Sequence, residues 1–441
     1  MSQMAKELST KEVVSKIEKE NVQLIDIRPI AAYNGWALEG EQRGGHIPGA
    51  KSIPLQWTGY MDWVEVLEEK NITKNLPIII YGYSGNTAST MAHKMRELGY
   101  GELFIYNSFV TEWSADEALS LEQLARYQQL VYPDWVNQLI KGNTPPKYDN
   151  DDFVICHSHY DNIEDYHRGH IPGAIPIDTN SLESTETWNR RSPDELKETL
   201  EKLGIHHDTT VVLYGRFSAP TFNEEKFPGK SAGHLGALRC AAIMLYAGVN
   251  DVRILNGGIT SWETKQLPLS TEAISPTPIN DFGADIPGCP EIMIDPPEAK
   301  ELLAADDGDL VSIRSWEEFI GERSGYHYIK KKGRIPGAIF GNCGSDAYHM
   351  ENYRNFDHTM REFQEVEQAW KEGGIIADKH IAFYCGTGWR GSEAFWNAWL
   401  MGWPNVSVYD GGWYQWCNNP NNPVETGIPE QAPKSQKTMA Q

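Results

Sequence analysis

Three times along the chain, a short apolar run, a loop and a stretch with apolar residues at helical spacing follow one another. The opening runs lie in "VQLIDIRPIAAY" from Val22, "DDFVICHSHYDN" from Asp151 and "GDLVSIRSWEEF" from Gly308. A second set, each containing a tyrosine, is "PIIIYG" at 77–82, "TVVLYG" at 210–215 and "IAFYCG" at 381–386. A third set, "LFIYNSFVTEW", "VRILNGGITSW" and "VSVYDGGWYQW", closes on Trp113, Trp262 and Trp416. Apolar strands alternating with helical stretches such as "GNTASTMAHKMRELGY" and "GSEAFWNAWLMGW" predict parallel βαβ units with helices on both faces of the sheet. Each copy then reads as a small doubly wound α/β domain.

The copies share more than a pattern. "GGHIPGAKSIP" at 44–54, "RGHIPGAIPID" at 168–178 and "KGRIPGAIFGN" at 332–342 repeat one IPGA core, and Arg28 matches Arg314 at the end of the first strand. From the residue after the strand tyrosine to the closing tryptophan is 31 positions in copies one and three and 47 in copy two. The surplus lies in "RFSAPTFNEEKFPGKSAGHLG", whose Gly and Pro content predicts a surface loop. Helical leads "STKEVVSKIEKE", "YPDWVNQLIKG" and "DPPEAKELLAAD" open the copies. They divide the chain into domains at 5–128, 129–280 and 285–428, with a frayed tail at 429–441. The Pro-rich "AISPTPINDFGADIPGCP" reads as the linker before the third.

The 441 residues agree with three domains at about 150 residues each, and 40 % hydrophobic residues supply a core for each. Asp and Glu outnumber Lys and Arg by 61 to 39, a balance that argues against nucleic acid and anionic membranes as partners. With no membrane-length apolar run and no export signal at the start, the expected location is the cytoplasm, or the periplasm if the N-terminus has been processed. The six cysteines form no CxxC pair and suit a reducing compartment.

Of these cysteines Cys385 stands apart, because "CGTGWRG" from Cys385 to Gly391 follows a strand and precedes a helix. A turn of small residues at a helix start presents backbone N–H groups as an anion cradle. Such a field, with Arg390 beside it, favours the thiolate of Cys385. Arg390 offers a planar fork for an oxyanion. Gly386 and Gly388 allow close backbone approach, Thr387 orients a hydroxyl, and Trp389 packs or lines the edge. A phosphatase loop needs five residues between Cys and Arg, whereas four stand here, a ring better sized for one sulfur on the thiolate.

The triplicated IPGA units, "LVSIRSWEEFIG", "FYCGTGWRGSE" and the "NVSVYDGGWY" close resemble the rhodanese family of sulfurtransferases over nearly the whole chain. The resemblance implies that Cys385 takes the outer sulfur of a small anionic donor and passes it from a persulfide to cyanide or a thiol. No metal or organic cofactor is implied. Thiosulfate is the expected donor, with 3-mercaptopyruvate as the alternative suggested by the Cys-Gly-Thr-Gly opening. Arg390, Gly386, Thr387, Gly388, Trp389 and Gly391 form the expected substrate-binding loop.

Gly82 and Gly215 occupy the place of Cys385 in the other copies, so one active domain in three is expected. The two silent copies also suit a sulfur-carrier or docking role toward a protein partner such as a cysteine desulfurase. Cys156 and Cys240 read as structural, and Cys343 as either a buried residue or a second thiol that resolves the persulfide. "CHSH" at 156–159 has no accompanying ligand cluster, and "IKKKGR" at 329–334 is either a solvated loop or a steering patch for anions.

Overall fold

The computed structural model describes residues 5–217 and 233–429; most of the copy-two insertion and the expected tail lie outside them. Two compact units are present, Met1–Tyr127 and Gln128–Gln441. The first contains one sheet, ordered Lys6–Leu8, Leu103–Tyr106, Ile78–Tyr81, Gln23–Asp26 and Lys51–Ser52. The second contains two, one ordered Leu130–Val131, Asp251–Leu255, Thr210–Gly215, Phe153–His159 and Ile175–Asp178. The other is ordered Met293–Ile294, Val406–Tyr409, His380–Tyr384, Gly308–Ser312 and Ile339–Phe340. Every pairing is parallel. The central strands, such as Ile78–Tyr81 and Thr210–Gly215, are buried at every position, as helix-covered parallel sheets require.

The repeated motifs mark the same contacts in each copy. IPGA is a type II turn: the amides of Ala50, Ala174 and Ala338 donate to the carbonyls of Ile47, Ile171 and Ile335 at 2.9, 3.0 and 3.1 Å. The glycines within the turns take the left-handed φ of 78, 85 and 81° that such a turn demands. An arginine holds the carbonyl just before each motif: Arg28 on Gly45, Arg216 on Gly169 and Arg314 on Gly333, at 2.6, 3.2 and 2.7 Å. The residue preceding each Ile-Pro bridges to the chain beyond the closing tryptophan, His46 to Glu122, His170 to Ser270 and Arg334 to Glu425. Each tryptophan in turn donates its indole N–H to that returning segment, at Ser120, Pro268 and Pro423.

The helical leads begin where the sequence places them. Ser9 and Glu12 form a reciprocal capping box at Thr10–Lys19, as do Asp295 and Glu298 at Pro296–Ala304. The Pro-rich stretch before the third domain has no helix or strand through residue 289. It nevertheless packs on the second domain, with Phe282 buried and accepting the His207 amide at 2.9 Å.

The strand tyrosines tie the second strand to the turn. Tyr81 and Tyr214 accept the amides of Ile47 and Ile171 at 3.0 and 2.9 Å, all in the core. Tyr81→Phe strands a buried N–H, and urea denaturation is expected to show a loss of about 1–3 kcal/mol.

Candidate active site

Strand His380–Tyr384 ends one residue before Cys385, and helix Trp389–Leu400 starts four residues after it. Gly388 caps that helix in the left-handed conformation, φ 92°. The Cys385 side chain is 0 % exposed. The carbonyls of Cys385 and Gly386 are taken by the amides of Trp413 and Tyr414 at 2.8 and 2.9 Å. Those amides belong to helix Gly412–Asn418, and the "DGG" glycines let it come this close: a Cβ on Gly412 would lie 2.8 Å from the Cys385 carbonyl oxygen. With the carbonyls engaged, the first-turn amides of Trp389, Arg390 and Gly391 remain without intrahelical acceptors, at the positive end of a twelve-residue helix.

The expected binding residues do different things. Gly386 lies under Tyr326, whose ring a Cβ would meet at 2.3 Å. Thr387 is buried. Gly391 packs its backbone on the strand, 3.0 Å from the Phe383 carbonyl to a would-be Cβ. Arg390 is fully buried and its Nη1 and Nη2 grip the two carboxylate oxygens of Glu318 at 2.9 and 3.0 Å. Its Nε has no hydrogen-bond partner among the described residues.

Burial alone would push the Glu318 carboxyl up, but Arg390 and Arg314 outweigh it and bring it down to about 2. Glu318 also accepts the Ser315 amide at 3.0 Å and Arg314 Nε at 3.3 Å. Cys343 is buried with its Sγ 3.1 Å from Arg390 Nη1, and burial pushes its thiol up to about 12. Burial likewise raises Tyr326 and Tyr328, so both stay protonated; the Tyr326 hydroxyl donates to the Ala347 carbonyl at 3.1 Å. Their rings stack at 5.2 Å, and Tyr348 meets Tyr326 edge-on at 5.6 Å.

The second domain reaches this loop. The Trp389 indole N–H donates to Glu183 at 2.8 Å, and Glu183 is paired with Arg239 at 2.9 Å. Arg239 also binds Asp410 of the third domain at 2.5 Å, and Asp410 takes Arg190 at 2.8 Å. Arg239, Glu183 and Asp410 are wholly buried. Burial pushes the Glu183 carboxyl up to about 7 against the pull of Arg239. Sequence reasoning missed this network because it pairs residues of copy two with residues of copy three, and no repeat relates them. The signal was an arginine inside the apolar run "GALRCAAIMLYA".

The other candidates lie elsewhere. Gly82 and Gly215 follow their strand tyrosines as Cys385 does. Cys156 and Cys240 are buried, and burial raises both thiols. "CHSH" falls in strand Phe153–His159, whose alternation turns Cys156 to the face opposite His157 and His159. Lys330, Lys331 and Lys332 are exposed.

A buried thiol at a strand end, under a helix N-terminus and in the last of three like α/β units, defines a sulfur-transferring enzyme. The chain belongs to the rhodanese family: the rhodanese-like domain matches at residues 9–116, 160–265 and 295–419. It is 39 % identical, over 99 % of its length and 96 % of the relative's, to the thiosulfate sulfurtransferase YnjE of Escherichia coli K12. The sulfur carrier protein TtuD of Thermus thermophilus is 27 % identical over 69 % of this chain and 98 % of its own. Among solved structures, wild-type EanB is 52 % identical and superposes with a TM-score of 0.95, covering 97 % of this chain and 100 % of EanB. A further EanB structure, 53 % identical at TM-score 0.93 over 96 % of this chain and 100 % of that one, holds a cysteine persulfide in a tetrahedral intermediate state with ergothioneine. No helix among the described residues is long and apolar enough to cross a membrane.

Removing Glu318 leaves Arg390 and Arg314 buried without their shared carboxylate. Glu318→Gln is expected to cost about 3–5 kcal/mol at neutral pH. Because the Glu318 carboxyl is lowered, its contribution is complete above the ordinary carboxylate range and fades as pH falls toward about 2. Urea melts at several pH values should therefore show wild type and variant converging in acid.

Proposed function

We propose that a sulfane-sulfur anion, thiosulfate in the first instance, loads Cys385, and that the acceptor is an imidazole betaine of the hercynine type. The YnjE likeness supports the donor. The acceptor reading is carried by the tyrosines crowded over the Cys385 loop, in a chain 52–53 % identical to EanB, which has been crystallised with hercynine and with ergothioneine. Rings of this kind suit a planar, cationic acceptor; cyanide needs none of them.

In the first step the Cys385 thiolate attacks the outer sulfur of thiosulfate. The S–S bond breaks and sulfite leaves with the electron pair. The first-turn amides and Arg390 Nε stabilise the donor's charge and then the persulfide. In the second step the outer sulfur bonds to C2 of the imidazole, and the persulfide S–S bond breaks with its pair returning to Cys385. The C2 proton passes to a base and is returned to the unprotonated ring nitrogen, so the thione carries a proton on each ring nitrogen. The sulfur gains the two electrons that carbon loses, so no external oxidant is required. The protonated hydroxyl of Tyr328 supplies a hydrogen bond to the reacting groups, while Tyr326, whose hydroxyl is held by the Ala347 carbonyl, contributes its ring over Gly386.

Incubation with thiosulfate and hercynine is expected to yield ergothioneine by mass spectrometry, and thiosulfate alone to add one sulfur to the intact protein. Cys385→Ser should do neither. Thiocyanate from cyanide without ergothioneine from hercynine would overturn the acceptor assignment. Absence of turnover with every small donor would favour a carrier or docking role, as in TtuD's name.

A further inference from the structure

One segment of the second domain has geometry that its own domain does not use. Residues 183–190 leave the sheet and return through a bridge between Glu183 and Arg190. They lie on the third domain: the Arg190 amide donates to Asp410 at 2.8 Å, and Asn189 Nδ2 to Gln415 Oε1 at 3.2 Å. Near the end of this excursion Trp188 has φ 62°, a backbone conformation that a bulky side chain adopts only under constraint. Its amide donates to Ser184 at 2.8 Å and its carbonyl accepts Arg239 Nη2 at 3.0 Å.

The constraint places an indole beside the cysteine loop. Trp188 stacks on Tyr328 at 5.4 Å, and Tyr328 stacks at 5.2 Å on Tyr326, the ring that lies against Gly386 of the loop. On its other contact Trp188 stacks on Tyr160 at 5.9 Å, and Tyr160 meets the loop's Trp389 edge-on at 5.6 Å. All four rings are only partly buried, so each keeps part of its face accessible beside the loop.

We propose that Trp188 is the acceptor-selecting residue of the third domain's site, an aromatic wall lent by the silent second domain for planar cationic acceptors. This rests on the imidazole-betaine reading above. An indole attracts a quaternary ammonium or a protonated ring through its π-face and offers nothing to a small anion such as cyanide, so it discriminates between acceptors.

Trp188→Gly is the sharpest test, because glycine suits the left-handed backbone and removes only the ring. The quantity to read is the ratio of kcat/KM for hercynine to that for cyanide, with thiosulfate as donor. It is expected to fall about tenfold in Trp188→Gly and to be largely recovered in Trp188→Phe. An unchanged ratio in Trp188→Gly overturns the proposal. Should wild type make no ergothioneine, the acceptor assignment fails on its own, and calorimetric binding of hercynine to Cys385→Ser decides the role of Trp188. Binding that Trp188→Gly abolishes upholds the wall, while equal binding, or none in either protein, overturns it.

Discussion

Glu318 is the point at which the third domain's motifs meet. One oxygen pair caps the helix that starts at Trp316, clamps Arg390 at the head of the cysteine helix and shares Arg314, which in turn holds the carbonyl before the IPGA turn. Turn, helix cap and loop are therefore positioned by one buried carboxylate. Such a charge persists in the core only because two guanidinium groups and a backbone amide surround it. The arrangement occupies both terminal nitrogens of Arg390, so the arginine of the loop is first a structural cation. Only its Nε–H is left without a partner among the described residues.

The site is also a joint product of two domains. The second domain has no thiol after its strand, yet Glu183 holds the Trp389 indole and Arg239 bridges to Asp410. Asp410 begins the "DGG" close whose last glycine lets helix Gly412–Asn418 engage the Cys385 and Gly386 carbonyls. The architecture of the repeat is thus turned outward: a copy with glycine in place of the thiol furnishes side chains to its neighbour's loop.

Much of this was legible beforehand, and the reason is periodicity. The three parallel sheets followed from apolar runs too uniform to be half-exposed, and the IPGA and Trp positions repeat because each makes the same backbone contact in every copy, a contact the strand tyrosine makes in the first two. Cys385 was visible as a departure from that repeat. What stayed hidden was anything pairing residues far apart without periodicity. Glu318 stands four residues after Arg314 and looks like one more helix-surface charge, while its main partner lies 72 positions on. The contribution of Glu183, Trp188 and Arg239 depends on how copies two and three meet, which no pattern within a copy encodes. The Pro-rich stretch before the third domain looked like a free connector, and only Phe282 in the core reveals it as a strap.

The two glycines that replace Cys385 differ in what they permit. A Cβ on Gly82 would press on the Ile27 side chain at 2.7 Å, an obstacle that a smaller residue at 27 removes. A Cβ on Gly215 would lie 2.0 Å from the backbone oxygen of Gly233, where the chain returns from the copy-two insertion. In the first domain, room for a thiol after Tyr81 therefore takes a second substitution, at 27. In the second the main chain itself fills that space, so no change of side chain makes room for a thiol, and the domain reaches the chemistry only through the side chains it extends to its neighbour's loop.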